Sequence, residues 1–563
     1  MTSTERIQSL LNQIYGPEKG RQAYDRLMPL IEGFTKKPGR DASRFAWGDM
    51  VLITYGDTLF HPGENPLATF HRFARRFLKD AVSSVHFLPF FPYSSDDGFS
   101  VKDFFRIDEV LGDWNDVARI GEDFNLMFDF VINHFSSESR WFQDYLGDRP
   151  GFEHFAIEVD PEADLSSVTR PRSLPLLTPF TKKDGRRVHL WTTFSADQID
   201  FNYSSLDVLA KMVQALLFYV EKGATILRLD AIAYLWKTVG TTCIHLSRTH
   251  DMVRLFRRIL DLAAPDVMLI TETNVPHEEN ISYFGNGRDE AQMVYNFTLP
   301  PLLFYTFVKQ DAKILTRWAR GLHLPSPETA FFNFTASHDG IGVRPLEGIL
   351  PAEEIDLLVD VVKANGGKVS YKDNPDGSQS PYELNITYVD AILADSRSDN
   401  ADKFLASQAV QYSLPGVPAT YIHSLLGSRN WHAGVGKTGR ARTINREKLD
   451  LEQVLAELDD PASFRSRVFF PYMQMIRTWR QQPAFHPQAA FEVLDAGPGL
   501  FAIRRSGGGQ TLFAVTNVSA KAVSLELDHL GIARPTCDLV SGDRIDSSPW
   551  ELAPYRFAWL ETP

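Results

Sequence analysis

Cysteine is nearly absent: the 563 residues contain only Cys243 and Cys537. Two thiols cannot staple a chain of this size, and no Cys-x-x-Cys pair exists to hold zinc or cycle electrons. Nor does any apolar run approach the ~20 residues of a membrane-spanning helix. The first sixteen residues, which include Glu5 and Arg6, have no apolar stretch of the kind that opens a secretory signal. Positive charge is also short: 58 Lys and Arg against 71 Asp and Glu leave a formal charge of −13 and a pI near 5.6. That balance argues against nucleic acid and anionic membrane as partners. It leaves room for a small anionic substrate, because a few local arginines can override the global sign. Internal repeats and long low-complexity segments are missing too. The expected setting is the cytoplasm, and the oligomeric state stays open.

Core material, by contrast, is plentiful. Hydrophobic residues make up 44% and aromatics 12%, with 40 Phe, and the chain is too long for one compact core. Residues 1–46 read as a helical extension, with Ile7, Leu10, Leu11 and Ile14 at helical spacing and a linker over Lys36–Ser43. Eight strand-like runs follow, beginning at Val51, Val85, Leu126, Thr225, Met268, Met293, Phe331 and Pro418. Amphipathic segments such as Leu206–Lys222 and Thr249–Ala264 lie between several of them. Strands alternating with helices eight times predict a (β/α)8 TIM barrel over 47–134 and 204–485. Two stretches exceed ordinary loop length: 135–203, an inserted domain after the third strand, and 340–405, a lid of acceptor loops after the seventh. From 486 to 563, short β-like runs broken by Gly and Asp predict a C-terminal antiparallel β domain.

Four of the runs end in charge. Asp129-Phe-Val-Ile-Asn-His134, Arg228-Leu-Asp230, Thr271-Glu-Thr273 and Ser337-His-Asp339 close the third, fourth, fifth and seventh strands. Charge at the end of an apolar strand is costly unless paired or used in chemistry. One such end is ordinary; four in succession point to a site at the C-terminal rim of the barrel. This order of residues resembles the alpha-amylase family of retaining alpha-glycosidases and transglycosylases.

A retaining mechanism needs an ionised carboxylate to attack the anomeric carbon and a protonated carboxyl to release the aglycone, ~5 Å apart. Asp230 fits the nucleophile, with Arg228 two residues earlier on the same face to hold it ionised. Glu272, after the apolar Met268-Leu-Ile run, fits the acid/base. Asp339 with His338 is expected to clamp sugar hydroxyls and stabilise the cation-like transition state. His134 and Asn133 are expected to act similarly, with Asn133 braced against Asp129. A metal is an alternative for such a cleft, but His and carboxylates together suit sugar hydroxyls better. No cofactor and no metal are expected.

Over most of its length the chain is similar to the sucrose phosphorylase branch of that family. The resemblance rests on Leu88-Pro-Phe-Phe-Pro-Tyr-Ser-Ser-Asp-Asp-Gly-Phe99, Thr193-Phe-Ser-Ala-Asp-Gln-Ile-Asp200, Gly240-Thr-Thr-Cys243, Ser337-His-Asp-Gly-Ile-Gly342, Leu414-Pro-Gly-Val-Pro-Ala419 and Ile444-Asn-Arg446. It implies glucosyl transfer from an alpha-glucoside to inorganic phosphate through a covalent beta-glucosyl aspartate. It further implies that Asp96 and Arg446 grip the far hydroxyls of glucose, Phe99 forms a platform by Asp230, and Gln198 lines the acceptor side. Thr271-Glu-Thr-Asn274, Thr169-Arg-Pro-Arg-Ser-Leu-Pro-Leu-Leu-Thr178 and the helical extension depart from the sucrose enzymes and resemble glucosylglycerate-specific members. Glycerate is a carboxylate, which a guanidinium suits. Arg344, Arg170 and Arg172 are candidates for it and equally for phosphate; Glu347 is an alternative partner for Arg344. Three other readings stand beside this one: phosphorolysis of sucrose, sucrose 6-phosphate or glucosylglycerol, hydrolysis by an alpha-glucosidase, and a non-catalytic sugar-binding barrel.

Overall fold

The structure, a computed structural model, describes residues 2–34, 44–172, 174–374, 377–395 and 397–561. The linker expected over Lys36–Ser43 lies outside the described residues. Eight parallel strands close into a barrel in chain order: β1 Val51–Thr54, β2 Ser84–Phe87, β3 Asn125–Phe130, β4 Ala224–Leu229, β5 Met268–Thr271, β6 Met293–Tyr295, β7 Ala330–Phe334 and β8 Val417–Tyr421. Every residue of β1, β2, β6, β7 and β8 is buried. That is why these strands read as continuous apolar runs and not as alternating ones. All eight lie where the apolar runs predicted them. Helices Leu206–Glu221 and Ser247–Ala263 follow the predicted segments to within two residues, each burying one long apolar face.

The extension is two helices, Ser3–Tyr15 and Pro17–Glu32, joined at Gly16 with φ +84°. Thr2 and Glu5 form a capping box on the first. Ile7, Leu11 and Ile14 bury the face predicted from their spacing. The second helix begins with Pro17, whose missing N–H would be unpaired there anyway.

Within the segment after β3 Phe135 stacks on Phe201 at 4.5 Å, and Trp141 stacks on Phe104 of the loop after β2 at 5.1 Å. A hairpin, Leu177–Thr181 with Arg187–Trp191, stands above it. The stretch after β7, expected as loops, is mostly regular. It contains helix Ala352–Ala364, the hairpin Lys368–Asp373 with Gln379–Asn385, and helices Tyr388–Leu393 and Ala401–Ser413. Its Pro, Gly, Asn and Asp content concentrates in the turns, which is why it reads as loop. After Ala490 a six-stranded antiparallel sheet closes the chain, with its own core around Leu500, Phe513, Val515 and Leu560. Among the described residues no helix is long and apolar enough to cross a membrane.

Candidate active site

Strand register builds the floor of the site. Asp129 on β3 is level with Arg228 on β4, and Leu229 is level with Thr271 on β5. Asp230 and Glu272, the next residues of β4 and β5, therefore emerge side by side at the rim. Arg228 ion-pairs with Asp129, donates to Asp230 Oδ1 at 2.8 Å through Nη1, and reaches Glu272 Oε2 at 3.7 Å through Nη2. His86 on β2 braces the far oxygen of Asp129 at 2.8 Å. Past Asp230 the chain turns through Ala231 in the left-handed region (φ +50°), and the Ala231 N–H donates to Glu272 Oε2 at 3.1 Å.

These contacts set the charge states. Burial raises the pKa of Asp230, Arg228 opposes that, and Glu272 and Asp129 raise it further. Burial also raises Glu272, with Asp339 and Asp129 adding to the effect against Arg228. Two acids raised together keep one proton between them over a wide pH range. The guanidinium lies closer to Asp230 than to Glu272, which favours ionisation of Asp230, while the Ala231 N–H on Glu272 works in the opposite sense.

Above this floor lies a cavity of about 80 Å³. Asp339 enters it from the loop after β7, with Arg442 Nη1 at 2.6 Å from Oδ1. Burial works against its ionisation, but Arg442, Arg446 and Arg228 hold it well below the usual carboxylate range. Asn445 fixes that loop by donating to the carbonyls of Ser337 and Asp339 at 3.2 and 2.9 Å. His338 stacks on Phe99 at 4.6 Å, and burial lowers its pKa to about 3, so it is neutral. His134 and Gln198 lie 3.0 Å apart, and both point at the Phe99 carbonyl. Arg172 reaches Asp96 at 3.5 Å and lies over Phe194 at 5.5 Å. Asp96 is half-buried, and Arg172, Arg442 and Arg446 hold it ionised.

Of the residues expected here, Asp230, Glu272, Asp339, Asp96, Phe99, His134, Gln198, Arg228, His338 and Arg172 all line the cavity. Arg446, anchored on Asp97 at 2.5 Å and the His338 carbonyl at 2.8 Å, lies 3.8 Å from Asp339 Oδ1 and lines an adjoining pocket together with Asp96. Three expectations need correction. Arg170 is exposed and donates to the Leu174 carbonyl, away from the cavity. Arg344 begins a 3-10 turn behind the wall and faces Glu279 at 3.8 Å, while Glu347 pairs with Lys372. Asn133 braces against Asp200 and Lys237, because Asp129 is already filled by Arg228 and His86.

Sequence reasoning missed Arg442, Glu383 and Tyr382 on the cavity wall. Arg442 forks onto Glu383 at 2.9 and 2.5 Å, tying the hairpin strand Gln379–Asn385 to Asp339. Gly340 permits that approach: a Cβ there would lie 2.6 Å from the Leu384 carbonyl oxygen. The one available signal was the nearness of Arg442 to the Ile444-Asn-Arg446 stretch, two residues upstream of it.

Residues 77–339 match the alpha-amylase catalytic domain family. A glucosylglycerate phosphorylase of Spirochaeta thermophila is 50% identical over 530 residues, covering 92% of this chain and 90% of its own. One from Escherichia coli is 45% identical over 562 residues, covering 99% of this chain and all of its own. The crystal structure of a sucrose 6F-phosphate phosphorylase from Thermoanaerobacter thermosaccharolyticum superposes with a TM-score of 0.75 at 23% identity, over 92% of this chain and all of that one. The barrel, the rim carboxylates and these likenesses agree, and the chain belongs to the alpha-amylase family.

Proposed function

We propose that the chain is a retaining glycoside phosphorylase. It cleaves 2-O-alpha-D-glucosyl-D-glycerate with inorganic phosphate, reversibly, to alpha-D-glucose 1-phosphate and D-glycerate. The observation that carries this reading is the Asp230–Arg228–Glu272 arrangement: one guanidinium holds a carboxylate and a carboxyl level at the rim. Relatives named glucosylglycerate phosphorylase at 45 to 50% identity, over nearly the whole chain, support the substrate.

In the first step Glu272 gives its proton to the glycosidic oxygen and glycerate leaves. Asp230 bonds to the anomeric carbon from the opposite face, forming a beta-glucosyl ester. In the second step a phosphate oxygen attacks that carbon, its proton passes to the Glu272 carboxylate, and the Asp230 ester bond breaks. Two inversions return the alpha configuration. Asp339, held ionised by Arg442, offsets the positive charge that develops on the sugar. Arg172 is the cavity-facing guanidinium with the loosest attachment, 3.5 Å from Asp96, and suits an incoming phosphate. Sugar and phosphate are the only partners this reading needs. A cytoplasmic setting, which retains a phosphorylated product, suits this reading.

The test is phosphate release from alpha-glucose 1-phosphate with glycerate, glycerol and fructose as acceptors side by side. Glycerate should be preferred by a wide margin. Preference for fructose or glycerol would overturn the substrate, and release without any acceptor would favour hydrolysis.

A further inference from the structure

One carboxylate beside the cavity has no cationic partner among the described residues. Asp197 Oδ2 accepts hydroxyl hydrogen bonds from Ser94 at 2.6 Å, Ser100 at 2.7 Å and Ser95. Its Oδ1 accepts from Ser137 at 2.6 Å. The Asp197 carbonyl takes the Ser137 N–H at 2.9 Å and the Ser100 hydroxyl at 3.2 Å. Four serines from two separate segments thus converge on this one carboxylate, three on Oδ2 and one on Oδ1.

Those segments are the ones that shape the sugar end of the cavity. Ser95 precedes Asp96, and Ser100 follows Phe99. Ser137 lies just beyond the strand His134–Ser136, which pairs with Gln198–Asp200. Asp197 itself precedes Gln198. Between Ser95 and Ser100 the backbone is unusual: Asp96 and Asp97 have φ +55° and +50°, followed by Gly98 at +110°. Two successive non-glycine residues in the left-handed region persist only where the surroundings hold them. Gly98 also packs too closely for a side chain, since a Cβ would lie 2.6 Å from the Pro89 carbonyl oxygen.

We propose that Asp197 is a positioning residue for the glucosyl end of the site. By gathering the hydroxyls of Ser94, Ser95, Ser100 and Ser137, it holds the Asp96 turn at a fixed spacing from the His134–Gln198 pair. Asp197 touches no substrate; it acts through Asp96, Phe99, His134 and Gln198. The four hydroxyls favour its ionised form against partial burial, so the latch is present at neutral pH. The inference rests on the reading of the site as a glucosyl site.

The experiment compares wild type, Asp197→Ala and Asp197→Asn in glucose binding by calorimetry. It also compares their kcat/KM for alpha-glucose 1-phosphate and for alpha-xylose 1-phosphate, which lacks the hydroxymethyl group. Displacing positioned groups by about 1 Å costs about a hundred-fold. Asp197→Ala should lose about that factor with the glucosyl donor and far less with the xylosyl donor. Asp197→Asn keeps an acceptor oxygen for the serines and should recover most of the loss. If Asp197→Ala does not fold, Ser95→Ala should show the same collapse of glucose-over-xylose preference on a smaller scale. Unchanged glucose affinity and sugar preference would overturn the proposal. Equal losses for both sugars and for glycerate, tracking a lower Tm, would overturn it as well. Inactivity of the wild type with both sugar phosphates would count against the phosphorylase reading, while glucose affinity would still test the latch.

Discussion

The floor of the cavity and its acceptor wall are built differently. On the floor, Asp129, Arg228, Asp230 and Glu272 sit on or directly after neighbouring parallel strands, and backbone register fixes their spacing. Each is buried or nearly so, and one guanidinium serves three carboxyl groups. On the acceptor wall, Arg172, Tyr382 and Arg442 come from three long excursions that meet only in the folded chain. Arg344, from a fourth position, stops one layer short. On the proposed reading, strand register places the reaction at the floor, and side-chain pairing across loops shapes the wall that the acceptor meets. Changes to the floor should therefore abolish turnover, and changes to the wall should redistribute it among substrates.

The largest effect is expected at the nucleophile. Asp230→Asn should lower kcat by roughly four or more orders of magnitude with every donor and acceptor, because no other carboxylate can form the ester. A uniform loss of only a few-fold would mean the floor is not where the reaction occurs. Next comes Arg172→Ala, which removes the cavity's least committed cation. It should raise the KM for phosphate by about ten- to hundred-fold, the worth of a charge-assisted contact. The KM for glycerate should move less, and the reverse pattern would exchange the two anion assignments. The smallest effect is expected at Arg344, which faces Glu279 and not the cavity. Arg344→Ala should weaken glycerate use by roughly ten-fold or less, leaving neutral glycerol unaffected. Equal losses for both acceptors would remove any carboxylate role from Arg344.

The same contrast explains what could be read from the chain. Asp230, Glu272 and Asp339 announce themselves because a charged residue ending an apolar run is conspicuous, and strand ends of a (β/α)8 barrel all open on one face. Arg228 was legible through the two-residue repeat of a strand. The arginines of the wall were not sortable, since Arg170, Arg172 and Arg344 sit in irregular segments where no periodicity fixes direction. Arg170 and Arg172 are two residues apart, yet one is spent on a carbonyl outside and the other enters the site. Asn133 was assigned the wrong partner because Asp129, four residues earlier, looked available until Arg228 and His86 claimed both its oxygens. Glu383 gave no signal at all, since its meaning depends on Arg442, some sixty residues downstream.

The central claim is that Asp230 carries the glucosyl group while Glu272 moves the proton. Treatment with 5-fluoro-alpha-glucosyl fluoride, followed by peptide mass mapping, tests it most directly. The account predicts one added fluoroglucosyl group, on the peptide containing Asp230, and no adduct in Asp230→Asn. An adduct on any other residue, or none at all while the enzyme still turns over alpha-glucose 1-phosphate, would contradict it.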